Sequence, residues 1–486
     1  MIPIQVNRLQ SLLLLFILAP FIVGISGCET NPATGENEFL LLSTEEQRQL
    51  GAEADAQIVA EFGEYNDDAI QSWVERIGKE VQAQSNDTRF TYTFRVLDTE
   101  VINAFALPGG YIYVTRGLLA YLQNDAQLAM VLGHEVGHVA ANHSAKQYTS
   151  SILANVGLAI GGALFEDVRP FLGAAQTGLQ LLFLSYSRDN ESQSDTLGVK
   201  YATLAGYEAA EGAEFFVTLQ RLQEQSGTAI PTWTSTHPDP ADREENITQK
   251  AAEWKAAVGG GLTGVNPEVY LPRINNMVFG QNPRHGFVQN STFYHPDLQF
   301  QFSVPSGWQV GNFATQVQMV SPQEDAVIVF TTASESSATA AADAFRNQQG
   351  IQTLERMTVT VGGFPAIRLR TTVTSDDGGT LSVLSYFIEK SPNVYIFHGY
   401  TDIGRFNTYA NTFEATERSF ETLTNASILA VQPYQLDIFE ASQTTTFSSL
   451  VTPNSGAGMD ILSLAILNQK DVSQQVPQGT YLKQVD

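Results

Sequence analysis

The stretch Ala129–His143 reads AMVLGHEVGHVAANH and holds three of the chain's seven histidines. The longer pattern DAQLAMVLGHEVGHVAANHSAKQ predicts a strong, apolar helix, with Asp125 as a candidate N-cap. On a helix, His134 and His138 stand at i and i+4, one turn apart on one face. Two imidazoles so placed can point at a single ion, and zinc suits imidazole nitrogen in a tetrahedral shell. Glu135 lies one residue on and is turned aside, where it can reach a water on the metal without being forced to ligate it. This is the HExxH pattern, the arrangement for metal-assisted hydrolysis: the metal lowers the pKa of the water, and the glutamate takes its proton and passes it to the leaving amine. His143 follows His138 by five residues, which turns it off the ligand face, and it reads as structural.

Two histidines leave such a site short, because a catalytic zinc takes three protein ligands and keeps one position open. Further on, SYSRDNESQSDTLGVKYATLAGY (185–207) carries Glu191 and Asp195, again at i and i+4 on a helical pattern. Glu191 can be the third ligand. Asp195, on the same face, can accept from the far nitrogen of a ligand histidine and fix its tautomer. On spacing alone a solvated carboxylate pair is the commoner meaning.

The bulk numbers frame this site. A chain of 486 residues is too long for one ordinary domain. At 43% hydrophobic and 16% charged it has the composition of a buried globular protein. Its net charge of −25 argues against nucleic acid as a partner, because nothing resembles a basic stripe that could neutralise phosphates, and against electrostatic docking on anionic lipid.

The N-terminus MIPIQVNRLQSLLLLFILAPFIVGISGC has the order of parts of a secretory signal: Arg8, an apolar run, then small residues. The single cysteine, Cys28, follows directly, which resembles a bacterial lipobox and predicts cleavage before Cys28 and lipidation on it. Residues 1–27 are then a signal peptide and 28–42 a polar tether. Ser43 and Glu46 open the next helix with a capping box. RFTYTFRVLD alternates like a strand, and NAFALPGGYIYVTRGLLAYL reads as strand, turn, strand and helix. Ile152–Leu184 is apolar and glycine-rich, but Glu166, Asp167, Arg169 and Pro170 divide it into stretches shorter than the roughly 18–20 residues of a spanning helix. It reads as a buried or partly buried helical hairpin, or as a flap that touches membrane or substrate. VGGGLTGVNP marks a linker, taken as 258–285. Short strand patterns then fill 286–425, an α+β module, and a small segment, 436–486, ends the chain.

Taken together, HExxH, the helix with Arg188, Glu191 and Asp195, and the later THPDPADR resemble the M48 family of zinc metallopeptidases, its periplasmic and Oma1-like members in particular. NAFALPGGYIYVTRGLL is similar to the segment that precedes the zinc helix in that family. The resemblance covers about residues 45–249. It implies one zinc per chain held by His134, His138 and Glu191, with Glu135 as general base and Asp195 behind a ligand. It implies that Gly109, Gly110, Tyr111, Ile112 and Tyr113 form an edge strand that pairs with extended substrate. It also implies that His237 either occupies the open metal position as a latch or contacts substrate, and that Arg243 contacts an oxyanion or substrate carbonyl. The helical repeats of the periplasmic members are absent here, so partner recruitment through them is not implied.

The module 286–425 loosely resembles the PsbP and Mog1 type. The final segment is faintly similar to a LysM module, which would make peptidoglycan a partner; a capping subdomain is the alternative. The expected architecture is α+β: a mainly helical zincin-type protease domain, 43–257, with a small edge-strand sheet, followed by the strand-rich module. The expected function is a zinc endopeptidase, lipid-anchored in the bacterial envelope and facing the periplasm, that cuts misfolded or unassembled envelope proteins. The alternative is an envelope binding or chaperone-like factor with a latent or structural zinc site.

Overall fold

The protein is described by a computed structural model over residues 27–40, 42–147, 186–226, 233–238, 243–374 and 380–486. The leader and the apolar stretch 152–184 lie outside the described residues. The fold is α+β, with helices and several separate sheets.

Strands β1 (Gly27–Thr30) and β2 (Asn37–Leu40) pair antiparallel, Cys28 opposite Phe39. The stretch expected as a free tether is therefore a hairpin. It is also docked: buried Asn31 donates to Ala141 O at 3.2 Å, and Glu38 accepts from Lys146 at 2.8 Å.

Helix α1 (Thr44–Phe62) starts on the capping box: Ser43 Oγ accepts from the Glu46 N–H, and the Glu46 carboxylate accepts from the Ser43 N–H at 2.7 Å. Helix α2 (Asp68–Gln82) buries Ile70, Trp73, Val74, Ile77 and Val81, one stripe at helical spacing. Each such side chain contributes about 1.5–3 kcal/mol on burial. Strands β3 (Thr93–Leu97), β4 (Ala104–Leu107) and β5 (Tyr111–Thr115) form a small sheet in the order β3-β5-β4. Residues 109–113 thus do not make an edge. β5 pairs parallel with β3 on one side and antiparallel with β4 on the other, so its backbone groups are taken. The edge strands are β3 and β4.

After α3 (Arg116–Tyr121) comes α4 (Asp125–Ala140), buried over every residue beyond its first. Its N-cap is Asn124, not Asp125: the Asn124 side chain accepts from the Gln127 N–H, and Asp125 instead accepts from the Trp73 indole at 3.1 Å. Helix α5 (Arg188–Leu204) lies directly on α4. Glycines permit the approach. A Cβ at Gly198 would stand 2.9 Å from His134 N, and one at Gly133 would stand 2.9 Å from Gly198 O. Helices α6 (Glu211–Ser226), α7 (Trp233–Thr236) and α8 (Arg243–Val258) complete this layer.

The stretch 258–285 is not a free linker. Gly259, Gly260 and Gly261 adopt left-handed backbone with open space where a Cβ would stand, but Tyr270, Leu271, Ile274 and Met277 are buried in the main core. The Tyr270 hydroxyl donates to Leu119 O at 2.7 Å. The final segment joins the same core. Leu436, Phe447, Leu464, Leu482 and Val485 pack with residues of α2, α3 and α4, and the strand Tyr434–Glu440 pairs with Val278–Phe279 and with Tyr481–Val485.

Between these two lies a seven-stranded antiparallel sheet, spanning Gln309 to Asp402, with helices on both faces. Alternation along its strands separates the cores. Ile367, Leu369 and Phe387 meet helix Ala338–Arg346, and Ala366, Leu384 and Tyr386 pack in the other core with Phe406 and Phe413 of helix Phe406–Arg418. Among the described residues no helix is long and apolar enough to cross a membrane.

Candidate active site

Helix α4 turns His134 and His138 to one side, with their Nε2 atoms 2.9 Å apart. Helix α5 brings Glu191 against both: its carboxylate oxygens lie 3.4 Å from His134 Nε2 and 3.3 Å from His138 Nε2. His237 enters just after α7, where its N–H donates to Trp233 O at 2.7 Å. Its Nδ1 is 3.1 Å from Glu191 Oε1 and 3.4 Å from His134 Nε2, and its Nε2 donates to Ala104 O at 3.2 Å. One donor atom from each of these four residues lies within 4.8 Å of the others, and all four residues are buried.

Glu135 is fully buried beside this group, and neither of its carboxylate oxygens has a hydrogen-bond partner. Its nearest ionic neighbour is His237 Nε2 at 3.6 Å. Burial pushes its pKa up, against the pull of His237 and His134. Glu191 Oε2 likewise makes no hydrogen bond, although His134 Nε2 and Arg243 Nη2 lie 3.4 Å away. Burial works to raise Glu191, but His237 and His134 override it and hold the carboxyl well below the usual range. Burial pulls His138 well down, whereas Glu191 and Asp195 overcome burial at His134 and raise it to about 9. Acids outnumber fixed cations here, so the centre calls for positive charge. Two imidazoles, a carboxylate and a third imidazole converging on one point, with carboxylate oxygens unspent, fit a divalent cation.

Asp195 stands behind the group, with Oδ1 2.9 Å from His134 Nδ1. Arg243 is buried and also faces inward: Nη2 lies 2.7 Å from Asp195 Oδ1 and 3.4 Å from Glu191 Oε2, and its guanidinium carbon is 3.8 Å from the centre of the Phe216 ring. The expected contact of Arg243 with an oxyanion therefore meets an arginine whose Nη2 is already held by two acids.

The turn expected to bind substrate is elsewhere. A Cβ on Gly109 would meet Gln47 O, one on Gly110 would meet Phe90, and the Tyr113 hydroxyl donates to Asp55 at 2.7 Å. Tyr111 packs with α1, and Ile112 belongs to the main core. The strand that reaches the cluster is β4, through the Ala104 carbonyl. Three further side chains surround the cluster without having been singled out in the sequence. The Trp233 ring stacks on His237 at 4.5 Å, the Tyr186 ring stacks on His138 at 3.8 Å, and Gln193 reaches His143. Trp233 carried one usable signal, its position four residues before His237.

The profile of Peptidase family M48 matches residues 68–251, which contain every member of the cluster. This segment belongs to peptidase family M48. It is a metallopeptidase domain built around a buried group able to hold a metal ion. The M48 segment is similar to mitochondrial metalloendopeptidase OMA1 of Arabidopsis thaliana, 31% identical over 205 residues, 41% of this chain and 41% of that protein. It is likewise similar to the beta-barrel assembly-enhancing protease of Escherichia coli K12, 26% identical over 241 residues, 47% of this chain and 49% of that one. The chain spans about half the length of these relatives. Among solved structures, cyanobacterial PsbP from Synechocystis matches with 15% identity and a TM-score of 0.24, over 28% of this chain and 96% of that one.

Proposed function

We propose that the protein is a zinc-dependent endopeptidase of the bacterial cell envelope that hydrolyses misfolded or unassembled proteins. One observation carries the reading: Glu135 is a fully buried carboxylate without a hydrogen-bond partner, set beside four converging metal-type donors. A structural metal site has no use for such a group.

His134, His138 and Glu191 would hold the zinc. Bound there, zinc supplies Lewis acidity and lowers the pKa of water. Glu135, buried beside the ligands without a hydrogen-bond partner, would accept a proton and deliver it to the leaving amine. Asp195 holds His134 through Nδ1, and Arg243 holds Asp195. An extended substrate would add to the outer edge of β4, in place of the bonds that its Ala104 and Ala106 carbonyls now accept from His237 and Ser144. The bond from His237 supports that residue either as a latch that must withdraw or as a substrate-positioning group.

Lipidation of Cys28 after removal of the leader would anchor the chain, with the docked β1–β2 hairpin immediately behind it. The names of the relatives support an envelope location; inner and outer membrane are both open. The module 286–425 is read as PsbP- or Mog1-like. For residues 436–486, packing into the protease core favours a capping role over a free peptidoglycan-binding module.

A second reading has one observation in its favour. With His237 on the metal, four protein ligands would close the site, as in a structural centre of a binding or chaperone-like factor. Casein cleavage by purified wild type, Glu135→Gln and His237→Ala separates the two. The proposal expects cleavage by wild type or the histidine variant. Glu135→Gln should be slower by about 10²–10⁴-fold, with zinc retained. Undiminished cleavage by Glu135→Gln contradicts the mechanism. No cleavage by any form with zinc bound in all favours the second reading.

A further inference from the structure

The metal ligands His134 and His138 are backed differently, and the difference assigns a role to His143; this inference rests on the metal-site reading above. Both ligands present Nε2 to the centre, so the Nδ1 of each points away. His134 Nδ1 meets a carboxylate, Asp195 Oδ1, at 2.9 Å. His138 Nδ1 meets another imidazole, His143 Nδ1, at 3.0 Å, and His143 Nε2 meets Gln193 Oε1 at 2.9 Å.

Two ring nitrogens at that distance share one proton. If His138 Nε2 is to offer a lone pair to a metal, the neutral ring must carry its proton on Nδ1. His138 Nδ1–H is then the donor and His143 Nδ1 the acceptor. The proton of His143 sits on Nε2, where it donates to the Gln193 carbonyl oxygen. The reverse assignment, with His143 donating from Nδ1, would place the His138 proton on Nε2, facing the centre, and block that ligand position.

We propose that His143 is a positioning residue that holds His138 in its metal-binding tautomer, with Gln193 fixing the orientation of His143. The surroundings suit this. His143 is 1% exposed, Ser194 Oγ lies 3.2 Å from its Nδ1, and the Tyr186 ring stacks on His138. Helix α5 thereby supplies one ligand, Glu191, the outer partner of His134, Asp195, and the two side chains that meet His143, Gln193 and Ser194. His143 itself is no ligand, because it meets the nitrogen of His138 that faces away from the cluster.

The test is zinc affinity by chelator competition, with the visible spectrum of the cobalt-substituted protein, on the full chain. His143→Ala is expected to weaken zinc binding by about 10–100-fold and to change the cobalt spectrum. His143→Asn, whose Oδ1 can accept where Nδ1 did, is expected to restore most of the affinity and the wild-type spectrum. Wild-type affinity and spectrum in a folded His143→Ala overturn the inference, as does an asparagine variant no better than alanine, since packing alone would then account for the residue. Should the alanine variant fail to fold, Gln193→Leu carries the test: a weaker site in the same direction is expected, and unchanged affinity and spectrum overturn the proposal. Wild type that binds no zinc overturns the metal reading together with this inference, whereas normal binding by wild type and by His143→Ala overturns this inference alone.

Discussion

Lys483 and the His134 cluster are buried alike, and they differ in how their polar atoms end. The Lys483 side chain is inaccessible to solvent, and its ammonium donates to Ala120 O and Leu122 O, each at 2.6 Å, and to Leu467 O at 3.2 Å. Three N–H bonds meet three carbonyls, all at the C-terminal ends of short helices where carbonyls lack a helical partner. Burial pulls the lysine well below its ordinary pKa, and the matched acceptors are what make a charge there tolerable. Around His134 the count does not close. Both oxygens of Glu135 and one of Glu191 make no hydrogen bond, while four donors converge. A buried charge whose bonds are all met is holding elements together. A buried group whose bonds are left open, next to others aimed at the same point, is built for something that arrives from outside.

If that distinction is right, breaking the lysine should cost stability and not chemistry. Lys483→Met leaves the Ala120 and Leu122 carbonyls unmet, Leu467 O keeping its bond from Gln123, and should destabilise the protein by about 3 kcal/mol, read from urea unfolding, while folded molecules keep wild-type zinc affinity. A large loss of zinc affinity in folded Lys483→Met would erase the contrast.

Gly198→Ala sharpens the comparison from the other side. Its Cβ would stand 2.9 Å from His134 N, so the helices must part. A loss of about 1–3 kcal/mol is expected, accompanied here by weaker zinc binding, because α5 carries Glu191. Unfolding and chelator competition measured together would show whether the two losses travel together.

Glu61 offers a smaller test, a buried acid with no cluster around it. Burial raises it to about 7 from an ordinary 4.5. The folded state therefore holds a proton that the unfolded chain releases, and stability falls as pH rises from 4.5 through 7. Glu61→Gln should flatten that part of the melting-temperature profile and leave zinc binding alone. An unchanged slope would show that Glu61 ionises freely.

The cluster was partly legible in the sequence because a helix has one period. Once Ala129–His143 is helical, His134, Glu135 and His138 have their directions. Glu191 and Asp195 needed more, since a carboxylate pair at i and i+4 has a commoner, solvated meaning, and only the company of HExxH and THPDPADR raised them above it. Strand order was not legible. β4 and β5 are both short and apolar, and nothing local says which has a partner on each side. The glycine run at 259–261 drew attention away from Tyr270, Leu271 and Ile274, whose burial depends on contacts more than a hundred residues back. Lys483 is the extreme case: its acceptors at Ala120 and Leu122 are about 360 residues away, and an isolated lysine near a chain end has no pattern that announces a buried clasp. His143 was visible as a histidine off the ligand face, but its bond to His138 depends on the chain turning after Ala140.

The central claim is that the open bonds around His134 belong to a metal. Zinc stoichiometry by equilibrium dialysis, for wild type and a folded Glu191→Ala variant, tests it most directly. One zinc per wild-type chain and none retained by the variant is the predicted result. No zinc on the wild type, or an equal count on both, would contradict it.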